Sequence, residues 1–138
     1  MPWCKIPLQI IAIFHIVAGI ALPFLNQIPA VSDSFVASFF PGMVLEPEVA
    51  KQAAFVVALF GPTVASWGVL FLTLVNSFFA EPNGNKWWGL VLAELLWFVG
   101  DSSYATMNGV EVALPYNSVV LVGLLVPLLF ARRLIVRL

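Results

Sequence analysis

The sequence predicts an all-α integral membrane protein, a four-helix transmembrane bundle with a short interfacial segment between helices 1 and 2. The first observation behind this prediction is composition: of 138 residues, 62% are hydrophobic and only 9% are charged. A soluble domain carries about 25% charged residues, so this chain cannot cover a water-facing surface. The second observation is length, because four apolar stretches approach or exceed the ~20 residues that a helix needs to cross a bilayer.

The predicted spans form a single transmembrane domain over residues 1–138. They cover residues 7–25, 50–79, 87–108 and 115–131. The second span is longer than one crossing requires, which predicts a tilted helix or a helix that extends into water. The Asn-, Gly- and Pro-rich stretch at residues 81–86 predicts a turn, and the tryptophans that follow it, Trp87 and Trp88, are typical of a membrane–water interface.

The connection at residues 26–48 is the longest in the chain and carries the interfacial segment. Ser32 or Asp33 is expected to cap a short helix there, and Pro41 with Gly42 is expected to end it. Four large apolar residues would then share one face of this helix, namely Phe35, Val36, Phe39 and Phe40. Such a helix lies in the membrane interface and does not span it. An irregular loop with aromatic anchors is the alternative.

The first span is predicted to begin near Pro7, a residue that suits the first turn of a helix. Lys5 and the apolar run after it also resemble a signal peptide. That run is long for a signal peptide and His15 interrupts it, so we prefer a membrane span. Cys4 is the single cysteine and excludes an internal disulfide. We expect a free thiol there, with palmitoylation at the membrane edge as the alternative.

Small residues recur along the second span, at Ala58, Gly61, Ala65 and Gly68. Small side chains let two helices approach closely, so this stripe predicts a contact with another helix at Gly61 and Gly68. Pro62 removes one backbone hydrogen bond in the same region and predicts a kink.

The third span carries two carboxyl groups, Glu94 and Asp101. They are seven residues apart, which is close to two helical turns, so they lie on one face of the helix. Carboxylates at membrane depth are costly and usually face a protein interior or a wet cavity. This polar face is the candidate site. A purely structural role stays open for both acids, with Glu94 hydrogen-bonded to a neighbouring helix and Asp101 near the outer interface.

Depth along the spans predicts partners for these acids. At 1.5 Å per residue, Glu94 lies about 10 Å inside the membrane, and His15 on the first span lies at a similar depth. Asp101 lies about 20 Å inside. The predicted pairings are Glu94 with His15, and Asp101 with Asn117, Lys51 or Tyr104. Trp97 contributes to an aromatic-lined interior.

The leading functional hypothesis is a small non-enzymatic membrane protein that docks a partner or binds a small hydrophobic ligand through the polar face of helix 3. One alternative is a homo-oligomeric proton-linked carrier that uses Glu94. Another is a membrane-embedded isomerase that uses Glu94 and Asp101 as acid and base.

No cofactor, metal or nucleic-acid partner is predicted. One His, one Cys and two separated acids do not form a metal-ligand set. The few Lys and Arg residues lie at span ends and form no basic patch for nucleic acid. The partners we expect are the lipid bilayer and a homodimer or larger membrane complex.

Three segments in the second, third and fourth spans resemble the BphX-like family of small bacterial membrane proteins, which are encoded near aromatic-ring dioxygenases. These segments read GPTVASWGVLFLTLVNSFF, LLWFVGDSSYATMNG and LVPLLFARR. The motif residues would be Leu96, Trp97, Phe98, Asp101, Ser103, Tyr104 and Gly109. The resemblance covers the C-terminal two-thirds of the chain. It implies a bacterial inner-membrane protein and supplies no mechanism.

Orientation follows from the positive-inside rule. An even number of spans places both termini on one side of the membrane. That side holds five of the six basic residues: Lys5, Lys86, Arg132, Arg133 and Arg137. We therefore expect both termini in the cytoplasm and the connection at residues 26–48 outside.

This topology is testable by cysteine-accessibility labelling of the variants Ser34→Cys and Asn83→Cys. An impermeant reagent added outside should label the first variant and leave the second unlabelled, since only the long connection faces outward. Labelling of the Asn83 variant without labelling of the Ser34 variant would overturn the assignment.

Overall fold

The computed structural model describes residues 2–40, 42–110 and 113–136, and it is all-α, as predicted. Five helices and one further helical turn form the described part of the chain. They are α1 Pro2–Leu25, α2 Pro29–Phe39, α3 Pro47–Ala80, α4 Gly84–Met107, α5 Ala113–Ala131 and the turn α6 Arg133–Val136. Each of the four predicted spans corresponds to one long helix, although the ends differ by several residues.

Three stretches of the described residues are long and apolar enough to cross a membrane. They are Trp3–Leu25, Pro47–Ala80 and Ala113–Ile135. At 24 residues α4 has sufficient length, about 36 Å at 1.5 Å per residue. It is not among the three because Glu94, Asp101 and the polar residues of its C-terminal half lower its hydropathy. The sequence predicted four spans, and the described residues provide three candidates.

The beginning of α1 corrects the predicted start of the first span. The helix begins at Pro2, so Pro7 lies in its second turn. Proline is favoured at the first helical position, and Pro2 takes that place. The side chain of Cys4 is free and fully buried. Burial leaves this thiol no access to a lipid-transferring enzyme, which opposes the palmitoylation hypothesis.

The connection after α1 contains the predicted short helix, so the irregular-loop alternative is wrong. The capping prediction is also wrong, because α2 begins at Pro29 and Ile28 occupies its N-cap position without a side-chain hydrogen bond. Of the four apolar residues expected on one face, Val36 is buried and Phe39 is exposed. Gly42 adopts a positive φ of 74° beyond the helix end, and Pro41 lies outside the described residues. A location of α2 in the membrane interface stays a prediction.

Both ends of α4 have a local cause. The Asn83 side chain caps the first turn by accepting a hydrogen bond from the Lys86 backbone N–H at 2.9 Å. Gly109, which follows the C-cap residue Asn108, has a positive φ of 76°. The Val110 N–H bonds to the Ala105 carbonyl, the pattern of a Schellman motif. The helix therefore ends before the residues that lead into α5.

The chain divides into two compact units. We call Met1–Ile13 together with Val69–Leu138 the first unit, and Phe14–Gly68 the second unit. The interpretation of the whole chain as one domain stays a prediction.

In the first unit, α4 packs against α5. The buried residues of α4 are Trp87, Leu90, Val91, Glu94 and Ser102, at the spacing of one helix face. Those of α5 are Asn117, Leu124, Pro127, Leu128 and Ala131. The start of α1 joins them through an edge contact of the Trp3 and Phe130 rings, whose centroids are 5.1 Å apart. The core of this unit is therefore apolar except at Glu94, Ser102 and Asn117.

In the second unit, α1 and α3 touch at their backbones, as the small-residue stripe predicted for Gly61. A Cβ atom added to Gly19 would lie 2.5 Å from the Gly61 carbonyl oxygen and 2.5 Å from the Ala65 backbone nitrogen. One added to Gly61 would lie 2.5 Å from the Gly19 carbonyl oxygen. Real Cβ atoms do not approach backbone this closely, so both positions require glycine. Gly68, the other predicted contact residue, is buried.

The substitution Gly61→Leu should destabilise the protein by about 3 kcal/mol, because the new side chain meets backbone that cannot move aside locally. The matched control is Gly100→Leu on α4, where an added Cβ would have no atom within 4 Å. Thermal unfolding in a mild detergent measures both. Similar unfolding temperatures for the two variants would show that the Gly19–Gly61 contact does not hold the helices together.

Candidate functional site

The side chain of Glu94 is the most unusual group in the first unit. It is fully buried, with 0% of its surface exposed, on the face of α4 that packs against α5. Neither Oε1 nor Oε2 has a hydrogen-bond partner among the described residues. A buried polar group without a hydrogen bond costs about 1–3 kcal/mol, and a charged one costs more. Glu94 is therefore a polar group for which the described chain provides no partner.

Two polar contacts between α4 and α5 lie on either side of Glu94. On one side, the indole Nε1 of Trp87 donates to the buried carbonyl of Leu128 at 2.8 Å. On the other side, Asn117 Nδ2 donates to Asp101 Oδ2 at 2.7 Å. Glu94 is seven residues from Trp87 and seven from Asp101, so it lies about 10 Å along the helix from each.

The pair of Asp101 and Asn117, one of the pairings predicted from depth, is confirmed. Asn117 Nδ2 also lies 3.0 Å from Ser102 Oγ, and both of these side chains are buried. Asp101 itself is exposed, and Tyr104 is 72% exposed. The two acids of α4 thus have different surroundings: Glu94 is enclosed and without a partner, while Asp101 is hydrogen-bonded and open.

A further acceptor lies at the level of Glu94. Pro127 is inside α5 and has no N–H, so the Gly123 carbonyl lacks its usual helical donor. Gly123 is five residues from Leu128 and six from Asn117, so it lies about midway along α5 between these two contact residues. Glu94 lies midway between their partners on α4, Trp87 and Asp101.

The remaining candidate residues are His15, Lys51 and Trp97. His15 belongs to the second unit, where its ring packs against Trp67 with centroids 4.6 Å apart. Lys51 also belongs to the second unit and is exposed, and Trp97 is half-buried on α4. The predicted pairings of Glu94 with His15 and of Asp101 with Lys51 would join the two units and stay predictions.

Sequence reasoning missed three polar residues of the first unit. Ser102 is part of the Asn117 cluster, and Gln9 Nε2 on α1 donates to Asn76 Oδ1 on α3 at 2.8 Å. The signal was available, because a Gln or Asn inside an apolar span needs a partner on another helix.

The described residues contain no group of three or more His, Cys, Asp or Glu side chains that is able to hold a metal ion. No protein-family model, curated protein or solved structure matches this chain. The membership in the BphX-like family that the sequence suggested therefore stays a prediction, and the chemistry of the site must be argued from its own geometry.

The Trp87–Leu128 contact gives a quantitative prediction. Trp87→Phe keeps an aromatic ring and removes the indole donor, and it should destabilise the protein by about 1 kcal/mol. The cost is modest because the Leu128 carbonyl also accepts the Arg132 backbone N–H. Trp88→Phe is the control, since Trp88 is exposed. If chemical or thermal unfolding shows equal stability for the two variants, the buried hydrogen bond contributes nothing measurable.

Proposed function

We propose that this chain is a small, non-enzymatic, four-span membrane protein that binds a small and mostly apolar molecule through a hydrogen bond to Glu94. One observation carries the proposal: a fully buried carboxyl group in which both oxygens lack hydrogen-bond partners among the described residues. A ligand that brings an N–H or O–H donor would satisfy the group.

The surroundings of Glu94 favour an apolar ligand with few polar atoms. The nearby buried residues on α4 and α5 are Leu90, Val91, Leu124 and Leu128. Ligand sites in proteins combine mostly apolar walls with a few polar groups that set orientation. The Glu94 carboxyl, whose oxygens have no partner among the described residues, selects a molecule that carries a donor, such as an alcohol, a phenol or an amine.

A fourth crossing by α4 is part of the proposal, and its contacts with α5 support it. Trp87 contacts one end of α5 at Leu128, and Asp101 contacts the other end at Asn117. A helix that lies alongside a membrane span over this length has to enter the same layer. Of the residues that make α4 less apolar, Glu94 and Ser102 are buried, and Asp101 is exposed but hydrogen-bonded to Asn117.

Orientation in an inner membrane, with both termini in the cytoplasm, is also proposed. In the first unit the Arg132 guanidinium lies 5.3 Å from the Trp87 ring centroid, which brings the end of α5 to the start of α4. Trp3, two residues from Lys5, contacts Phe130 at the same end. The described basic residues of this unit therefore gather at one end, as the positive-inside rule requires. Arg137 lies outside the described residues.

Docking of a partner or of a second copy is the second candidate function. The observation that favours it is the C-terminal half of α4, where Asp101, Tyr104 and Met107 are exposed, Met107 to 83%. The isomerase hypothesis is less well supported, since Glu94 and Asp101 lie about 10 Å apart along α4 and only one is accessible. The carrier hypothesis is also less well supported, because a proton-linked carrier needs access to Glu94 from both sides of the membrane and Glu94 is fully buried.

The test compares the wild-type protein with Glu94→Gln and Glu94→Leu, each purified in mild detergent and analysed by mass spectrometry for bound small molecules. Wild-type protein should retain a donor-bearing apolar molecule. Glu94→Leu should lose it by about tenfold or more while folding with equal or higher stability, because a buried unpaired carboxyl is replaced by an apolar side chain. Glu94→Gln, which keeps one acceptor, should retain an intermediate amount.

Glu81→Gln is the control, because Glu81 is exposed at the turn before α4. Its small-molecule content should equal that of the wild-type protein. Equal content in all variants, or none in any, would refute the ligand proposal. Proton flux into proteoliposomes that Glu94→Gln abolishes would favour the carrier instead, and protein partners lost from exposed α4 variants would favour docking.

A further inference from the structure

A cavity of about 610 Å³ lies in the second unit, whereas Glu94 belongs to the first unit. It is open to the surface and is lined by the end of α1, the start of α2 and the start of α3. Its polar lining includes Asn26, Asp33 and Lys51, and its apolar lining includes Pro23, Phe55 and Ala58. Its volume falls within the range of about 300–1,000 Å³ that is usual for ligand sites.

The polar groups of this cavity are opposite in charge and are not paired with each other. The ion pair found in the described part of the chain joins Lys86 to Glu81, so Lys51 and Asp33 form none there. Asn26 Nδ2 donates to the Ala54 carbonyl at 2.8 Å, which fixes the orientation of the amide. Its Oδ1 is then left buried without a partner among the described residues. The cavity thus offers one cation, one carboxylate and one free acceptor.

The position of the cavity adds a second argument. It lies where the apolar run of α1 ends, at Leu25, and where the apolar run of α3 begins, at Pro47. Helix ends of this kind are at the level of the lipid headgroups. The apolar wall at Phe55 and Ala58 continues from there into the candidate span. A molecule in this cavity would have a charged end at the headgroup level and an apolar end inside the membrane.

We propose that this cavity binds a phosphoethanolamine group, the zwitterionic headgroup of phosphatidylethanolamine. Lys51 contacts the phosphodiester oxygens. Asp33 and the free Oδ1 of Asn26 accept hydrogen bonds from the ammonium group. The apolar wall at Phe55 contacts the glycerol and the first acyl carbons. A headgroup with both charges neutralises Lys51 and Asp33 together, which an anionic headgroup without an amine does not do.

The test is native mass spectrometry of the full-length, delipidated protein in mild detergent, with dioleoyl phosphatidylethanolamine or dioleoyl phosphatidylglycerol added at equal concentration. The wild-type protein should bind the ethanolamine lipid about tenfold more tightly than the glycerol lipid. Asp33→Asn should remove this preference, because it removes a charged acceptor for the ammonium group. Lys51→Gln should weaken both lipids by about tenfold, the effect of losing one hydrogen bond to a charged group.

Two exposed or half-exposed residues outside the cavity are matched controls. Glu48→Gln removes a carboxylate near the start of α3, and Lys5→Gln removes a cation at the other end of α1. Both should bind the two lipids as the wild-type protein does. Unfolding temperatures measured on the same samples establish that Asp33→Asn and Lys51→Gln are folded.

A competition arm distinguishes the source of the group. Water-soluble phosphoethanolamine that displaces the lipid at comparable concentration identifies a site for the free zwitterion. Failure to displace it identifies a site for the lipid, since the apolar wall is then required. Equal binding of the two lipids by the wild-type protein, or an unchanged preference in Asp33→Asn, would overturn the proposal. Neither result bears on Glu94.

Discussion

Inside the apolar layer of a membrane, a polar group has no water to bond to, so its partner has to come from the protein or from a ligand. Most of the polar groups described here meet this requirement across helices. Trp87 bonds to the Leu128 carbonyl, Asn117 to Asp101, and Gln9 to Asn76. These contacts both join helices and fix their register, because each donor reaches one acceptor only in one alignment. Glu94 departs from the rule, and for that reason it is the strongest candidate for a function.

The same requirement explains how much of the fold was accessible from sequence. Apolar runs bounded by Pro, Asn and Gly mark helices whatever their neighbours are, so the five helices followed from local chemistry, whereas the N-terminal cap of α4 at Asn83 was not predicted. The Gly61 contact followed from the spacing of small residues. The start of α2 did not, because proline at the first position replaced the expected Ser32 or Asp33 cap.

The candidate site was predictable only in part. Position along a helix placed Glu94 and Asp101 on one face of α4. It also brought Asn117 to the depth of Asp101, and these two side chains are hydrogen-bonded. Spacing and depth along separate helices do not determine which helix faces meet, and so they could not show that Glu94 would be enclosed and Asp101 open. The cavity near Lys51 was also missed, since its lining comes from three separate helices.

The backbone contact of Gly19 with Gly61 also has a consequence for biogenesis. Both residues precede α4 in the chain, so they leave the ribosome before α4 does. Domains and subdomains that are complete early are able to associate during synthesis. The helix pair of the second unit is thus available before α4 emerges from the ribosome. α4, which carries the buried Glu94 and is the least apolar of the long helices, is thus made after this helix pair is available.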